Sequence, residues 1–173
     1  MMVRSAAFRE AGGFDPEVIA AEDDEFCLRL GKAGWHLRRL PRAMTRHDLA
    51  MTRFAEWWRR AVRSGHGFAQ VGRLHPEHFR AERRRVLVNV AALAALLAGV
   101  VTAAWWLAAL AGAFFAASWL RTARGLRRDG QPSGTALHHA AYLVLSKFPN
   151  FVGMLTYWAR ASRGRAMRII EYK

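Results

Sequence analysis

Phe8-Arg9-Glu10-Ala11-Gly12-Gly13-Phe14-Asp15, then Ala21-Glu22-Asp23-Asp24-Glu25-Phe26-Cys27-Leu28-Arg29-Leu30 and Ala33-Gly34-Trp35, is the stretch from which the rest of the chain can be placed. Ser5 is positioned to cap a short helix over Ala6 to Ala11, and Gly12-Gly13 ends it, because glycine reaches positive φ without steric cost. Phe14 anchors the turn, and Asp15-Pro16 sends the chain into an extended loop. From Glu22 to Lys32 the spacing of Phe26 and Leu30, with Cys27 and Ala33 beside them, predicts a helix with one buried face, stopped by Gly34. Trp35, Leu37 and Leu40 set against His36, Arg38 and Arg39 predict a short strand ended by Pro41.

Working outward, Thr52 begins a helix that runs to about Val71, with Phe54, Trp57, Trp58, Ala61 and Phe68 on one side and Arg59, Arg60 and Arg63 on another. That composition suits a helix lying in a membrane interface or a soluble helix with a solvated basic face. Val86 to Leu120 carries no charge and is bracketed by Arg83-Arg84-Arg85 and by Arg121, Arg124, Arg127 and Arg128. One helix over that run would be about 50 Å long against a hydrocarbon core of ~30 Å. Two spans joined near Thr102-Ala103 keep both arginine clusters on one side, as the positive-inside tendency asks. A hairpin with halves of about 16 residues is therefore expected, tilted, thinning the bilayer or partly re-entrant. Ala91, Ala95, Gly99, Ala108 and Gly112 let the halves approach, and Trp105, Trp106 and Trp119 fall near the interfaces. Arg127 to Thr135 reads as a polar loop. Ala136 to Arg160 is apolar but interrupted by Lys147, Pro149 and Asn150, which favours a kinked interfacial segment over a third span, before a basic exit from Arg160 to Arg168.

The 173 residues hold 27 Lys and Arg against 13 Asp and Glu, a net charge of +14, which speaks of partners such as anionic lipid, phosphate-bearing substrate or nucleic acid. Nucleic acid fits least, because the basic residues flank apolar runs instead of forming a stripe with aromatic platforms. The lone cysteine, Cys27, excludes an internal disulfide and a cysteine zinc cluster. The N-terminus shows no signal peptide pattern.

Four consecutive acids in so basic a chain have two readings. They decorate a helix N-terminus, where the dipole favours them, or they do chemistry there, with a carboxylate held ionised to take a proton. The order of parts, Gly12-Gly13-Phe14, Glu22-Asp23, Glu25-Phe26, Arg29 and Gly34-Trp35, resembles the second half of the catalytic domain in family 2 glycosyltransferases, which have the GT-A fold. The resemblance implies that Asp23 is the catalytic base and Glu22 the neighbour that orients the acceptor. Gly12, Gly13, Phe14, Arg29 and Trp35 would shape the acceptor side, Arg29 by bracing the acidic loop. His47, in Thr45-Arg46-His47-Asp48, matches a histidine that reaches the metal or the diphosphate in that family; an ordinary loop histidine is the other reading. Membrane-bound members carry a glutamine-to-arginine-tryptophan motif on an interfacial helix. Gln70-Val71-Gly72-Arg73 matches its start, with Leu74 in place of tryptophan, and Arg59, Arg60 and Arg63 are alternative diphosphate-facing groups.

On this reading the chain is mostly α. Residues 1–50 are the C-terminal part of an α/β GT-A domain, 51–85 an interfacial helix and basic linker, 86–120 a transmembrane hairpin, and 121–173 a basic loop, a kinked apolar helix and a basic tail. The resemblance implies an inverting transfer from a nucleotide sugar to an acceptor hydroxyl, at the cytoplasmic face of the inner membrane in a multi-pass protein. The nucleotide-binding half and its Asp-x-Asp motif are expected to precede Met1 or to come from a partner chain, and to hold most of a divalent metal, Mg or Mn. The chain alone is then expected to be inactive. The alternative is a non-catalytic basic membrane adaptor gripping anionic lipid or a partner.

Overall fold

The computed structural model describes residues 1–39 and 51–167. Among them are the helices α1 (Ser5–Glu10), α2 (Glu22–Lys32), α3 (Phe54–Leu74), α4 (Arg80–Val101), α5 (Trp105–Arg128), α6 (Ser133–Leu145) and α7 (Lys147–Ala161), with no strand.

The two glycine stops behave as their chemistry requires. At the end of α1, Gly12 and Gly13 take φ of 74° and 70°, and Gly13 N–H donates to the Phe8 carbonyl at 3.0 Å. At the end of α2, Gly34 takes φ of 87° while Trp35 N–H donates to Leu30 at 3.0 Å and Gly34 N–H to Gly31 at 3.1 Å. That is the paired bonding of a Schellman ending, closed by Trp35 packing near Leu30. Ala7, Phe26 and Leu30 form a small core under Phe8, Ala11 and Trp35. Fully burying Phe26 or Leu30 contributes about 2 kcal/mol each.

Two local expectations are corrected. Ser5 caps nothing: the N-cap is Arg4, and no side chain bonds the free amides of that turn. Residues 35–39 carry no strand, although their side chains alternate. A strand exists only when a neighbour pairs its amides, and residues 35–39 form no such ladder with any described segment, although Met1 to Arg4 line the same hollow. Leu40 and Pro41 lie outside the described residues.

The apolar run does fold into two helices, turning over Thr102 to Ala104 with Ala103 in the left-handed region at φ 55°. A Cβ on Gly99 would sit 2.6 Å from Ala108 N, so glycine is what lets the helices close beside the turn. The halves exceed the expected length because the flanking arginines continue each helix: 22 residues in α4 and 24 in α5, about 33 and 36 Å. Among the described residues α4 is the one helix long and apolar enough to cross a membrane, with mean hydropathy 1.8 over its best stretch, and only 17% of that stretch is buried in the protein. Leu97, Val100, Val101, Trp105, Trp106 and Leu110 are all exposed.

After a shorter loop than expected, α6 returns along α5 and breaks at Ser146 into α7. α7 packs across α3 and against α4, around Ala69, Val86, Met154 and Tyr157. The α3–α7 crossing is closer than side chains allow: a Cβ on Gly65 would overlap the Asn150 carbonyl, and one on Gly153 the Val62 carbonyl. Gly65→Ala should therefore cost about 1–3 kcal/mol, read as a lowered thermal midpoint of the purified chain. Gly112→Ala, with nothing within 4 Å, should not lower it. Unchanged stability of Gly65→Ala would refute this crossing. His66, wholly buried at the crossing against Tyr157, has its pKa lowered to about 4 by desolvation and, secondarily, by Arg160, so it is neutral at pH 7.

Candidate active site

α2 begins abruptly. Ala21, its N-cap, sits in the left-handed region at φ 58° and ψ 35°, a conformation that costs a non-glycine residue about 1 kcal/mol or more and so needs surrounding support. The support comes from α3. Gly67 leaves room for the chain at Ala20 and Ala21, where its Cβ would stand 3.1 Å from the Ala20 carbonyl oxygen. Three residues on, Gln70 Nε2 donates to the Glu17 carbonyl at 2.7 Å. Val18, Ile19 and Ala20 are buried between. The loop after the diglycine turn is thus pinned from the helix that follows it in sequence by about fifty residues.

The strained start presents Glu22 and Asp23. Asp23 is exposed, and its Oδ1 accepts from the Asp24 amide at 3.0 Å. Arg63 of α3 approaches Glu22 at 3.7 Å. Asp24 is held above the ordinary carboxyl range, by desolvation first and then by the charge of Asp23. A carboxylate at a helix N-terminus, open to solvent and fixed by a backbone amide, is equipped to accept a proton from a hydroxyl.

Glu25 does different work. It is 3% exposed, and Arg29 grips it through Nε at 2.8 Å and Nη2 at 2.8 Å. The same guanidinium donates from Nη1 to the Ala11 carbonyl and from Nη2 to the Gly13 carbonyl at 2.7 Å. His75, at the end of α3, reaches Glu25 Oε1 at 3.3 Å and Lys32 Nζ at 2.7 Å, and Lys32 pairs with Glu77 at 2.9 Å. Burial alone would raise the Glu25 pKa, but the Arg29 and His75 hydrogen bonds and charges outweigh it and hold it below the ordinary value. Arg29 is therefore a brace that ties the diglycine turn to the acidic helix.

The residues singled out from sequence do not all meet. Glu22, Asp23 and Arg63 are brought together. Phe14 lies on Phe26 and Phe8, with centroids 4.9 and 6.0 Å away. Trp35 lies at the other end of α2, roughly 15 Å along the axis from Asp23, with its indole N–H on Glu10 at 3.2 Å. Arg59 and Arg73 stand fourteen residues apart on α3, about 21 Å, too far to share one diphosphate. Arg73 lines a hollow with Asp15, Glu17 and Gln70, while Arg59 bonds the Ala55 carbonyl and Arg60 lies a turn below Arg63. His47 lies outside the described residues. Among the described residues no three His, Cys, Asp or Glu stand as a metal cage, so these side chains alone do not make a metal centre. His75 was missed: its only signal was Pro76 ending α3 there, and nothing near it in sequence announces Glu25.

A family model described as "Glycosyl transferase family group 2" matches residues 1–158. The chain belongs to this glycosyltransferase family. Pre-mycofactocin glycosyltransferases from two strains of Mycobacterium tuberculosis are each 36% identical to it over 77 residues. Those residues are 44% of this chain and 16% of the relative, so the family likeness reaches only a small part of the relative's length. No solved structure matches.

Proposed function

We infer that this chain is the acceptor-side and membrane portion of an inverting glycosyltransferase. The observation that carries the reading is the construction around Asp23: an exposed carboxylate on a strained helix start, held by Ala21, Gly67 and Gln70 and backed by a buried Glu25–Arg29 brace. Asp23 takes the proton of an acceptor hydroxyl as its oxygen attacks the anomeric carbon of a nucleotide sugar. The bond from that carbon to the diphosphate breaks with inversion, and the diphosphate leaves with the electron pair. Glu22, steered by Arg63, orients the acceptor. Arg63, from the middle of α3, or Arg73, from its last turn, neutralises charge on the leaving side. A divalent metal, Mg or Mn, would add charge neutralisation there, and the nucleotide-binding half or a partner chain would supply its ligands. The relatives' name supports a glycosylated product but does not fix the acceptor here.

Residues 80–128 anchor this site as a hairpin across the inner membrane, leaving α1 and α2 in the cytoplasm. The uncovered apolar surface of α4 and α5 and the arginines at both outer ends support that orientation. An adaptor that grips lipid through arginines has no need of a braced acidic loop, which is why the enzyme reading is preferred.

The test has two parts. Membranes carrying the enzyme with its whole catalytic domain should transfer labelled sugar in an Asp23-dependent manner. In a Cys27→Ser background, Thr102→Cys should react with an impermeant maleimide from the periplasmic side only and Arg9→Cys from the cytoplasmic side only. Both cysteines labelling from one side would remove the hairpin.

A further inference from the structure

We propose that a groove between the start of α3, the end of α5 and α6 binds the phosphate-bearing head of an anionic membrane lipid. This hollow, about 540 Å³, is separate from the acidic site. Its wall is aromatic: Phe54 and Trp57 have centroids 5.1 Å apart, Trp57 meets Tyr142 edge-on at 5.1 Å, and Tyr142 meets His138 at 5.2 Å. Its rim is polar and carries Arg53, Gln131 and His139, with no carboxylate in the lining. His139 Nδ1 and Gln131 Oε1 stand 3.0 Å apart, so Nδ1–H donates to the amide oxygen and Nε2 is the nitrogen turned to other partners.

Position decides the occupant. Leu126 of the wall lies in α5 between Arg124 and Arg127, just beyond the point where the uncharged run gives way to arginines. With α5 across the bilayer, that depth is the headgroup layer, where aromatic rings and cations both reside. A zwitterionic head leaves the cationic rim without a net anion, and free phosphate makes no use of the aromatic wall. A lipid-borne phosphate uses both, its unesterified, charge-bearing oxygens facing Arg53 and His139 and its first acyl carbons lying on Trp57 and Tyr142.

The proposal rests on the membrane placement above, yet binding by the micelle-held chain is measured independently of the maleimide result. The full chain in neutral detergent should bind dioctanoyl phosphatidic acid saturably and one-to-one by native mass spectrometry. Arg53→Gln with His139→Gln should weaken that binding about tenfold, and Arg127→Gln with Arg128→Gln, which removes two charges outside the groove, less than about twofold. If the first pair lowers helical content by circular dichroism, Gln131→Ala, which only unties His139, replaces it and should also weaken binding. Equal weakening by both pairs would mean bulk charge attraction and overturn the site. Equal binding of dioctanoyl phosphatidylcholine, or full competition by millimolar inorganic phosphate, would overturn it as well.

Discussion

Asp23→Asn should lower sugar transfer by about 10²–10⁴-fold in the enzyme with its whole catalytic domain, with the fold intact. Asparagine has the same shape, and its carbonyl oxygen can still accept from the Asp24 amide, so the helix start is kept. What it cannot do is take up a proton. The exposed position of Asp23 means that its replacement buries no unpaired group, and thermal stability should move by less than about 0.5 kcal/mol. Neighbours calibrate the result. Glu22→Gln should cost less, since Glu22 orients and meets Arg63 only at 3.7 Å, and Asp24→Asn should leave turnover within about twofold. Full activity in Asp23→Asn, or an equal loss in Asp24→Asn, would place the base elsewhere and reduce the acids to helix decoration.

The helices of the acidic loop and the division of the apolar run into two helices were legible in sequence because their signals are local. Gly12, Gly13 and Gly34 stop helices through their own backbone freedom, and Phe26 and Leu30 repeat at helical spacing. The turn near Thr102 followed from an uncharged run too long for one span. Non-local facts were not legible. Residues 35–39 alternate like a strand, but pairing depends on a neighbour that alternation cannot supply. The arginines flanking Val86 and Leu120 read as ends of spans, whereas α4 and α5 run through them, because arginine is a good helix former and its long stem can reach water from within a helix. In the candidate site, the acid pair and Arg29 could be named, yet the contrast between exposed Asp23 and buried Glu25 could not. It arises because His75, fifty residues later, covers Glu25 on one side of α2 while Gln70 pins the loop ahead of the helix at Glu17, and Asp23 is left open to solvent.

The brace should show its worth when one partner is removed. Arg29→Gln leaves the 3%-exposed Glu25 carboxylate with His75 at 3.3 Å as its remaining named partner, and frees the Ala11 and Gly13 carbonyls. Breaking a buried ion pair from one side costs about 3 kcal/mol, which for a chain of this size lowers the thermal midpoint by roughly 10 °C. The loss should depend on pH with a definite sign. In the native protein the Glu25 pKa lies below its ordinary 4.5, so its stabilising contribution is present above pH 4.5 and disappears as pH falls through the lower folded value. The gap between native and variant is therefore widest at neutral pH and narrows in acid, where Glu25 is protonated in both. Arg29→Leu with Glu25→Leu removes both charges and should recover most of the stability. It does not restore the donors that hold the diglycine turn, so in the enzyme with its whole catalytic domain its transfer rate should stay low despite the recovered midpoint. Recovery of activity together with stability would mean that Arg29 serves folding alone. A stable but slow double variant would establish it as the residue that sets the acidic loop for catalysis.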